Sequence, residues 1–93
     1  MVSKNIIKIR KKLDKLDNLF LNLIKKRTKL VDQVLSNKKF KNEIVDKKRI
    51  KLILRNIRNK SKSKKIDPKI THKIWKSMIG AFIDYEFRNF KKK

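Results

Sequence analysis

The sequence predicts an all-α fold of three helices, from the spacing of its apolar residues, one helix-start signal and the lack of strand patterns. Apolar residues recur every three or four positions through most of the chain. Asp67 directly before Pro68 is typical of a helix start, with an N-cap carboxylate and a proline in the first turn. No segment alternates apolar and polar residues, and no Asn-Gly or Asp-Gly pair marks a hairpin. We therefore expect a single helical domain over residues 1–93.

The first predicted helix is the longest and runs from about Ser3 to Lys39. Its apolar stripe has the three-four spacing of a helix–helix seam and consists of Ile6, Ile9, Leu13, Leu16, Phe20, Leu23, Leu30 and Val34. Such a helix spans roughly 50 Å, whereas a compact domain of this size has a radius of gyration of only about 13 Å. Because the rest of one chain is too short to cover this stripe, we expect an intertwined homodimer.

Two further helices are predicted after a short polar connection at about Lys41–Glu43. The second runs from about Val45 to Asn59, and the polar run at 59–65 indicates a linker. The third runs from Pro68 to about Phe90. Their apolar faces are formed by Ile50, Ile53, Leu54 and Ile57, and by Trp75, Ile79, Phe82 and Phe90.

The formal net charge of +22 first suggests a partner such as nucleic acid or an anionic membrane. However, the cations are 24 lysines and only 6 arginines, and they are spread along the whole chain. Lysine, isoleucine and asparagine share AT-rich codons, so biased coding can supply much of this charge. We therefore interpret most lysines as a solvated face, and a basic, helical nucleic-acid-binding dimer remains an alternative.

Several classes of function are disfavoured by what the composition lacks. There is no cysteine for a disulfide framework, a thiol nucleophile or a zinc site. The single histidine, His72, cannot form a metal site alone. The opening residues do not resemble a signal peptide, and no window of 18 residues is apolar and uncharged. We expect a cytoplasmic protein with no metal and no membrane segment.

Cationic residues occupy positions of the first helix where the stripe requires apolar ones. Arg27 lies on the seam between Leu23 and Leu30, and burying a guanidinium without an anion is costly. Lys38 lies about three turns further on, so we expect it on the same face. Two such cations predict a small anionic ligand between helices, although Arg27 could also set the register or snorkel. Arg10, roughly 25 Å from Arg27, is either a surface residue or reaches the partner's site in an antiparallel dimer.

Polar residues on the other two helices also stand out. Asp46 and Arg49 are three positions apart and share a helix face, where they could form an ion pair or contribute to a site. Glu86 lies between Phe82 and Phe90 on the apolar stripe of the third helix. A carboxyl group there loses water, which favours its protonated form, unless the helix end turns it to solvent.

Four motifs in this order resemble the all-helical chorismate mutase family. The run Ile9–Asp17 (IRKKLDKLD) is similar to the family's opening, an arginine followed by Ile/Leu-Asp-x-Ile/Leu-Asp. Leu23–Arg27 (LIKKR) matches the leucine run that ends in an active-site arginine. Asp46–Arg49 (DKKR) resembles the Asp-x-x-Arg that begins helix two, and Ile74–Phe82 resembles the C-terminal helix. The resemblance extends over nearly the whole chain.

The resemblance implies a dimer of three-helix subunits with two active sites, each of which borrows one arginine from the neighbouring chain. The implied reaction is the rearrangement of chorismate to prephenate in phenylalanine and tyrosine biosynthesis. This step is intramolecular and pericyclic, so it needs no cofactor, metal or nucleophile. Chorismate, a small dianion, is the expected substrate, and catalysis rests on holding its reactive conformer.

By the same resemblance, four residues bind the substrate. Arg10 corresponds to the arginine borrowed across the dimer interface, where it holds one carboxylate. Arg27 binds a carboxylate from within the subunit. Asp46 lies near the ring hydroxyl, and Arg49 supports the site electrostatically and by hydrogen bonding.

Two residues correspond to the catalytic pair of the family. Lys38 contacts the ether oxygen and a carboxylate, and Glu86 lies opposite it, where bacterial members usually carry glutamine. Two further positions depart from the family pattern: Phe82 replaces a small polar residue that is common in bacterial members, and Ile50 replaces the glutamate that usually follows the helix-two arginine and binds the ring hydroxyl. Because an aliphatic residue there also resembles isochorismate pyruvate lyases on the same scaffold, lyase activity is an alternative.

Overall fold

The structure, a computed structural model, describes residues 3–91 and consists of α-helices with one turn of 3-10 helix. The helices are α1 (Lys4–Ser36), α2 (Lys47–Ser63) and α3 (Pro68–Asn89), and the 3-10 turn is Lys41–Glu43. Residues 3–91 contain no strand, which confirms the all-α prediction. No helix in this range is long and apolar enough to cross a bilayer. The chain divides into two compact units, Met1–Val31 and Asp32–Lys93.

The first unit is the N-terminal part of α1, and its apolar stripe is open to solvent. Every residue from 3 to 26 is exposed. Leu13, Leu16 and Leu23 keep 53%, 56% and 60% of their surface accessible. The predicted first helix is confirmed as α1, and this chain alone leaves its apolar stripe uncovered.

The C-terminal end of α1 is closed by polar side chains three residues before the predicted Lys39. The Ser36 hydroxyl and the Asn37 amide each donate a hydrogen bond of 2.8 Å to the Gln33 carbonyl. The Asn37 N–H bonds three residues back instead of four, to the carbonyl of Val34 at 3.1 Å. These bonds satisfy carbonyls that would otherwise accept from a further helical turn, so the helix ends at Ser36.

This early end changes the position of Lys38. Its N–H also bonds three residues back, to the carbonyl of Leu35 at 3.0 Å, and Lys38 belongs to the connection between α1 and α2. The prediction that the first helix extends to Lys39 is therefore wrong, and Lys38 lies outside α1.

Helix α2 begins two residues later than the predicted Val45, because Asp46 is its N-cap. The Asp46 carboxylate accepts the N–H of Arg49 at 3.0 Å, which satisfies one of the free donors of the first turn. The link between these two residues is thus a side-chain-to-backbone cap.

The predicted linker at 59–65 is mostly helix, since α2 continues to Ser63. The reason is Ser61, which is buried although its neighbours are exposed. Its hydroxyl lies 2.6 Å from the Ile57 carbonyl and 2.7 Å from the Thr71 hydroxyl of α3. A polar run can be an exposed helix surface around one buried hydroxyl, and the composition alone did not distinguish this from a loop.

The start of α3 agrees with the prediction. The Asp67 carboxylate accepts the N–H of Lys69 at 2.9 Å, and Pro68 occupies the first turn. The chain turns into this helix through Lys65, whose φ of 59° lies in the left-handed region.

The second unit is held together by the apolar faces of α2 and α3 and by the end of α1. The predicted apolar residues of α2 and α3 are all partly buried. Leu35 at the end of α1 and Ile44 after the 3-10 turn are the buried apolar residues of the described chain. Phe82 and Tyr85 meet edge to face, with ring centroids 6.5 Å apart. This packing brings the C-terminal end of α3 against the connection that carries Lys38.

Candidate functional site

A largely buried ion pair joins Lys38 to Glu86 of α3. The Lys38 ammonium lies 3.2 Å from one Glu86 carboxylate oxygen and 3.4 Å from the other. The two side chains keep only 17% and 8% of their surface exposed. Glu86 therefore points into the protein rather than to solvent, as its place on the apolar stripe predicts. Low solvent exposure strengthens the attraction and makes either charge costly if left alone.

The connection that carries Lys38 is held by hydrogen bonds to the Glu43 carboxylate. One oxygen of its carboxylate accepts the N–H groups of Lys39 at 2.6 Å and Phe40 at 2.8 Å. The bonds from Phe40 and Lys39, aided by the charges of Lys38 and Lys39, lower the pKa of Glu43 below its ordinary value of 4.5. The carboxylate is therefore ionised at neutral pH and holds the backbone just before the turn.

A second contact fixes the end of α1 to α3 one residue before Glu86. The Tyr85 hydroxyl donates a hydrogen bond of 2.7 Å to the Asp32 carboxylate. This hydrogen bond, followed by loss of water and the negative charge of Asp32, raises the pKa of Tyr85 above its ordinary value of 10.0. Tyr85 thus stays protonated as a donor. Because Glu86 is the next residue, this hydrogen bond helps to position Glu86 along α3 next to Lys38.

Lys38 also lines a groove of about 630 Å³ at the start of α2. The other lining residues come from the connection and the first turn: Asn42, Glu43, Val45, Asp46, Lys47 and Lys48. Both carboxylates of the groove accept backbone N–H groups. Among residues 3–91, neither Lys47 nor Lys48 forms an ion pair with a carboxylate. The groove therefore presents ammonium groups that can attract a small anion.

Three of the six predicted site residues meet in this part of the second unit. Lys38 contacts Glu86 directly, and Asp46 lines the same groove as Lys38. Arg49, also in the second unit, is exposed in the first turn of α2. The two remaining residues lie on the α1 segment of the first unit, where Arg10 is exposed and Arg27 is partly buried.

The sequence did not indicate that Lys47 and Lys48 line the groove. It also did not indicate that the Glu43 carboxylate bonds the backbone of the connection. Lys47 and Lys48 directly follow Asp46, a predicted site residue, and this position could have indicated them. However, lysines are so frequent along the chain that no pair of them stands out. Glu43 is one of only 8 acidic residues in this basic chain, and the scarcity of acidic residues could have indicated it.

The family model for chorismate mutase type II matches residues 9–87, a range that includes all six predicted site residues. The chain belongs to the chorismate mutase type II family. No curated protein matches it. No solved structure matches it either. At the level of the family, its function is of the chorismate mutase type, an isomerase that acts on chorismate. The all-helical fold agrees with this membership.

The described residues also bear on metal binding. Within residues 3–91, no group of three or more His, Asp and Glu side chains is placed to hold a metal ion. The chemistry available in the groove is that of ammonium groups, two hydrogen-bonded carboxylates and the N-terminus of α2, beside the buried Lys38–Glu86 pair.

Replacing Lys38 with methionine tests the ion pair. We expect Lys38→Met to lower the free energy of unfolding by about 2–3 kcal/mol at pH 8, because Glu86 keeps a buried, unpaired charge. Urea unfolding at fixed protein concentration measures this loss.

Two further variants control this measurement. Lys38→Met/Glu86→Gln should recover most of the lost stability, since both charges are gone. Lys39→Met removes an equal charge from an exposed neighbour and should change little. Equal losses for Lys38→Met and Lys39→Met would contradict the importance of the buried pair.

Proposed function

We propose that this chain rearranges chorismate to prephenate, on the route to phenylalanine and tyrosine, as a cytoplasmic homodimer of single-domain subunits without a cofactor. The observation that carries the proposal is the buried Lys38–Glu86 pair beside a cationic groove, in a chain of the chorismate mutase type II family. A dianion needs fixed cations, and the pericyclic step needs a compact conformer and stabilisation of charge at the ether oxygen.

The proposed binding roles follow the family resemblance. Arg27 and the partner's Arg10 hold the two carboxylates, since a guanidinium binds a carboxylate through two parallel hydrogen bonds. Asp46 contacts the ring hydroxyl, and Arg49 supports the site. The partial burial of Arg27, next to a run of exposed residues, supports its role.

Lys38 and Glu86 are proposed to act together at the ether oxygen. In the free protein the ammonium group is paired with the Glu86 carboxylate. When chorismate binds, its own negative charge competes for Lys38. Glu86 can then donate a hydrogen bond to the ether oxygen only if it carries a proton. The two residues thus contribute a positive charge and a proton donor on opposite sides of the same oxygen.

The proposed homodimer is supported by the exposed stripe of α1. Leucines, isoleucines and a phenylalanine along this helix keep between 41% and 62% of their surface accessible. Contiguous apolar surface of this extent is typical of a protein interface. A second copy provides a matching stripe, and an antiparallel pair brings Arg10 of one chain to the site of the other.

Lyase activity on isochorismate is the second candidate, and Ile50 is the observation that favours it. This residue is partly buried in the first turn of α2, where the family usually has a glutamate. Its aliphatic side chain cannot accept a hydrogen bond from the ring hydroxyl of chorismate. A basic, helical nucleic-acid-binding dimer is the third candidate and relies on the charge of +22 alone.

A direct assay of the purified protein with Arg27→Ala separates the three candidates. We expect prephenate formation in the parent and a loss of about a hundredfold or more in kcat/KM for Arg27→Ala, because one carboxylate loses its paired guanidinium. Lys26→Ala, which removes an equal charge from an exposed neighbour, should retain activity. Salicylate from isochorismate without prephenate from chorismate would support the lyase. DNA binding with neither product would support the third candidate.

Replacing Glu86 tests its role as a donor to the ether oxygen. Glu86→Gln keeps an N–H donor at this position, whereas Glu86→Leu has a side chain of similar size without a donor. We expect kcat to be largely retained in Glu86→Gln and to fall about a hundredfold in Glu86→Leu, the usual contribution of a positioned proton donor. Equal values of kcat for the two variants would contradict the proposed role.

A further inference from the structure

An open cavity lies between the end of α2 and the start of α3, away from Lys38 and Glu86 in the sequence. Its volume is about 470 Å³, which is within the range of small-molecule sites. It is lined by Leu54, Arg58 and Lys62 of α2, and by Asp67, Pro68, Lys69 and His72 at the start of α3. None of these residues lines the groove of Lys38, so the two sites are separate.

The lining residues combine cations with apolar surface. Arg58 and Lys62 are four positions apart, so they project from successive turns of one helix face. Lys69 adds a further cation from α3. The acidic residue of the cavity, Asp67, already caps α3 by accepting the Lys69 N–H at 2.9 Å. Leu54 and Pro68 supply an apolar wall, which a hydrated inorganic anion does not use.

A buried hydrogen bond joins α2 and α3 next to the cavity. The hydroxyl groups of Ser61 and Thr71 lie 2.7 Å apart, and both residues are buried. Each precedes a lining residue, Lys62 in α2 and His72 in α3. The bond therefore fixes the backbones of the two helices beside the cavity, so a ligand does not have to bring them together.

We propose that this cavity is a second ligand site, which binds a small carboxylic acid with an apolar body. Arg58 and Lys62 hold the carboxylate, because a guanidinium offers two parallel donors and an ammonium adds charge. The apolar body lies against Leu54 and Pro68. The many lysines of this chain attract any anion weakly, whereas this cavity selects an anion that also has apolar surface. The inference does not depend on the chorismate reaction.

Titration of the ¹⁵N-labelled protein with phenylacetate tests the site. We expect saturable amide shifts at Leu54, Arg58, Lys69 and His72. Phenylacetamide, which lacks the charge, and inorganic phosphate, which lacks the apolar body, should each bind about tenfold more weakly, as expected for the loss of one charge-assisted or apolar contact. Shifts that are spread over the lysine surface, centred on Lys47 and Lys48, or unsaturable would overturn the proposal. If a second copy of the chain fills the cavity, phenylacetate cannot enter it, no saturable shift appears, and the proposal is likewise overturned.

A matched pair of variants locates the site by charge. Arg58→Gln/Lys62→Gln should lower phenylacetate affinity by about tenfold. Lys60→Gln/Lys64→Gln removes the same charge from exposed positions outside the cavity and should lower it by less than about twofold. Equal losses for the two pairs would overturn the assignment. The test on the parent protein with phenylacetate and phenylacetamide decides the matter even if a variant fails to fold.

Discussion

The ion pair between Lys38 and Glu86 is the interaction on which the arrangement of the second unit depends. It joins the connection after α1 to the last turns of α3 through two side chains that are both mostly withdrawn from water. A lone charge in such a place is unstable, so each residue requires the other. The same requirement keeps an ammonium group inside the protein, where a small anion can compete for it. Structure and proposed chemistry therefore rely on one pair of charges.

The surrounding contacts keep this pair in place. Glu43 holds the backbone just after Lys38 by accepting two N–H groups, and Tyr85 ties α3 to Asp32 at the end of α1. Asp46 caps α2 beside the same groove. Tyr85 joins two helices, whereas Glu43 and Asp46 bond the backbone at the start of their own turn or helix. The groove is thus a meeting point of helix ends, where free backbone donors and charged residues gather.

The sequence predicted the helices and the inward direction of Glu86, because these follow from periodicity. Apolar residues at three-four spacing define a helix face, and Glu86 lies on that face between Phe82 and Phe90. The N-cap at Asp67 was also predicted, because Asp directly before Pro is typical of a helix start. Helix ends were less so: α1 ends early because Ser36 and Asn37 bond to Gln33, and α2 continues because Ser61 finds a partner in Thr71. Such bonds depend on geometry that no spacing rule contains, so Lys38 was placed on the wrong element.

We propose that two chains share each site, with Arg10 from one chain and Arg27 from the other. The most direct measurement is prephenate formation after Arg10→Ala and Arg27→Ala chains, each inactive alone, are mixed, unfolded and refolded together. If Arg10 crosses the interface, each mixed dimer contains one complete site, and about a quarter of the parent activity should return. If both arginines serve the site of their own chain, every site lacks one of them. The mixture would then stay inactive and contradict the account.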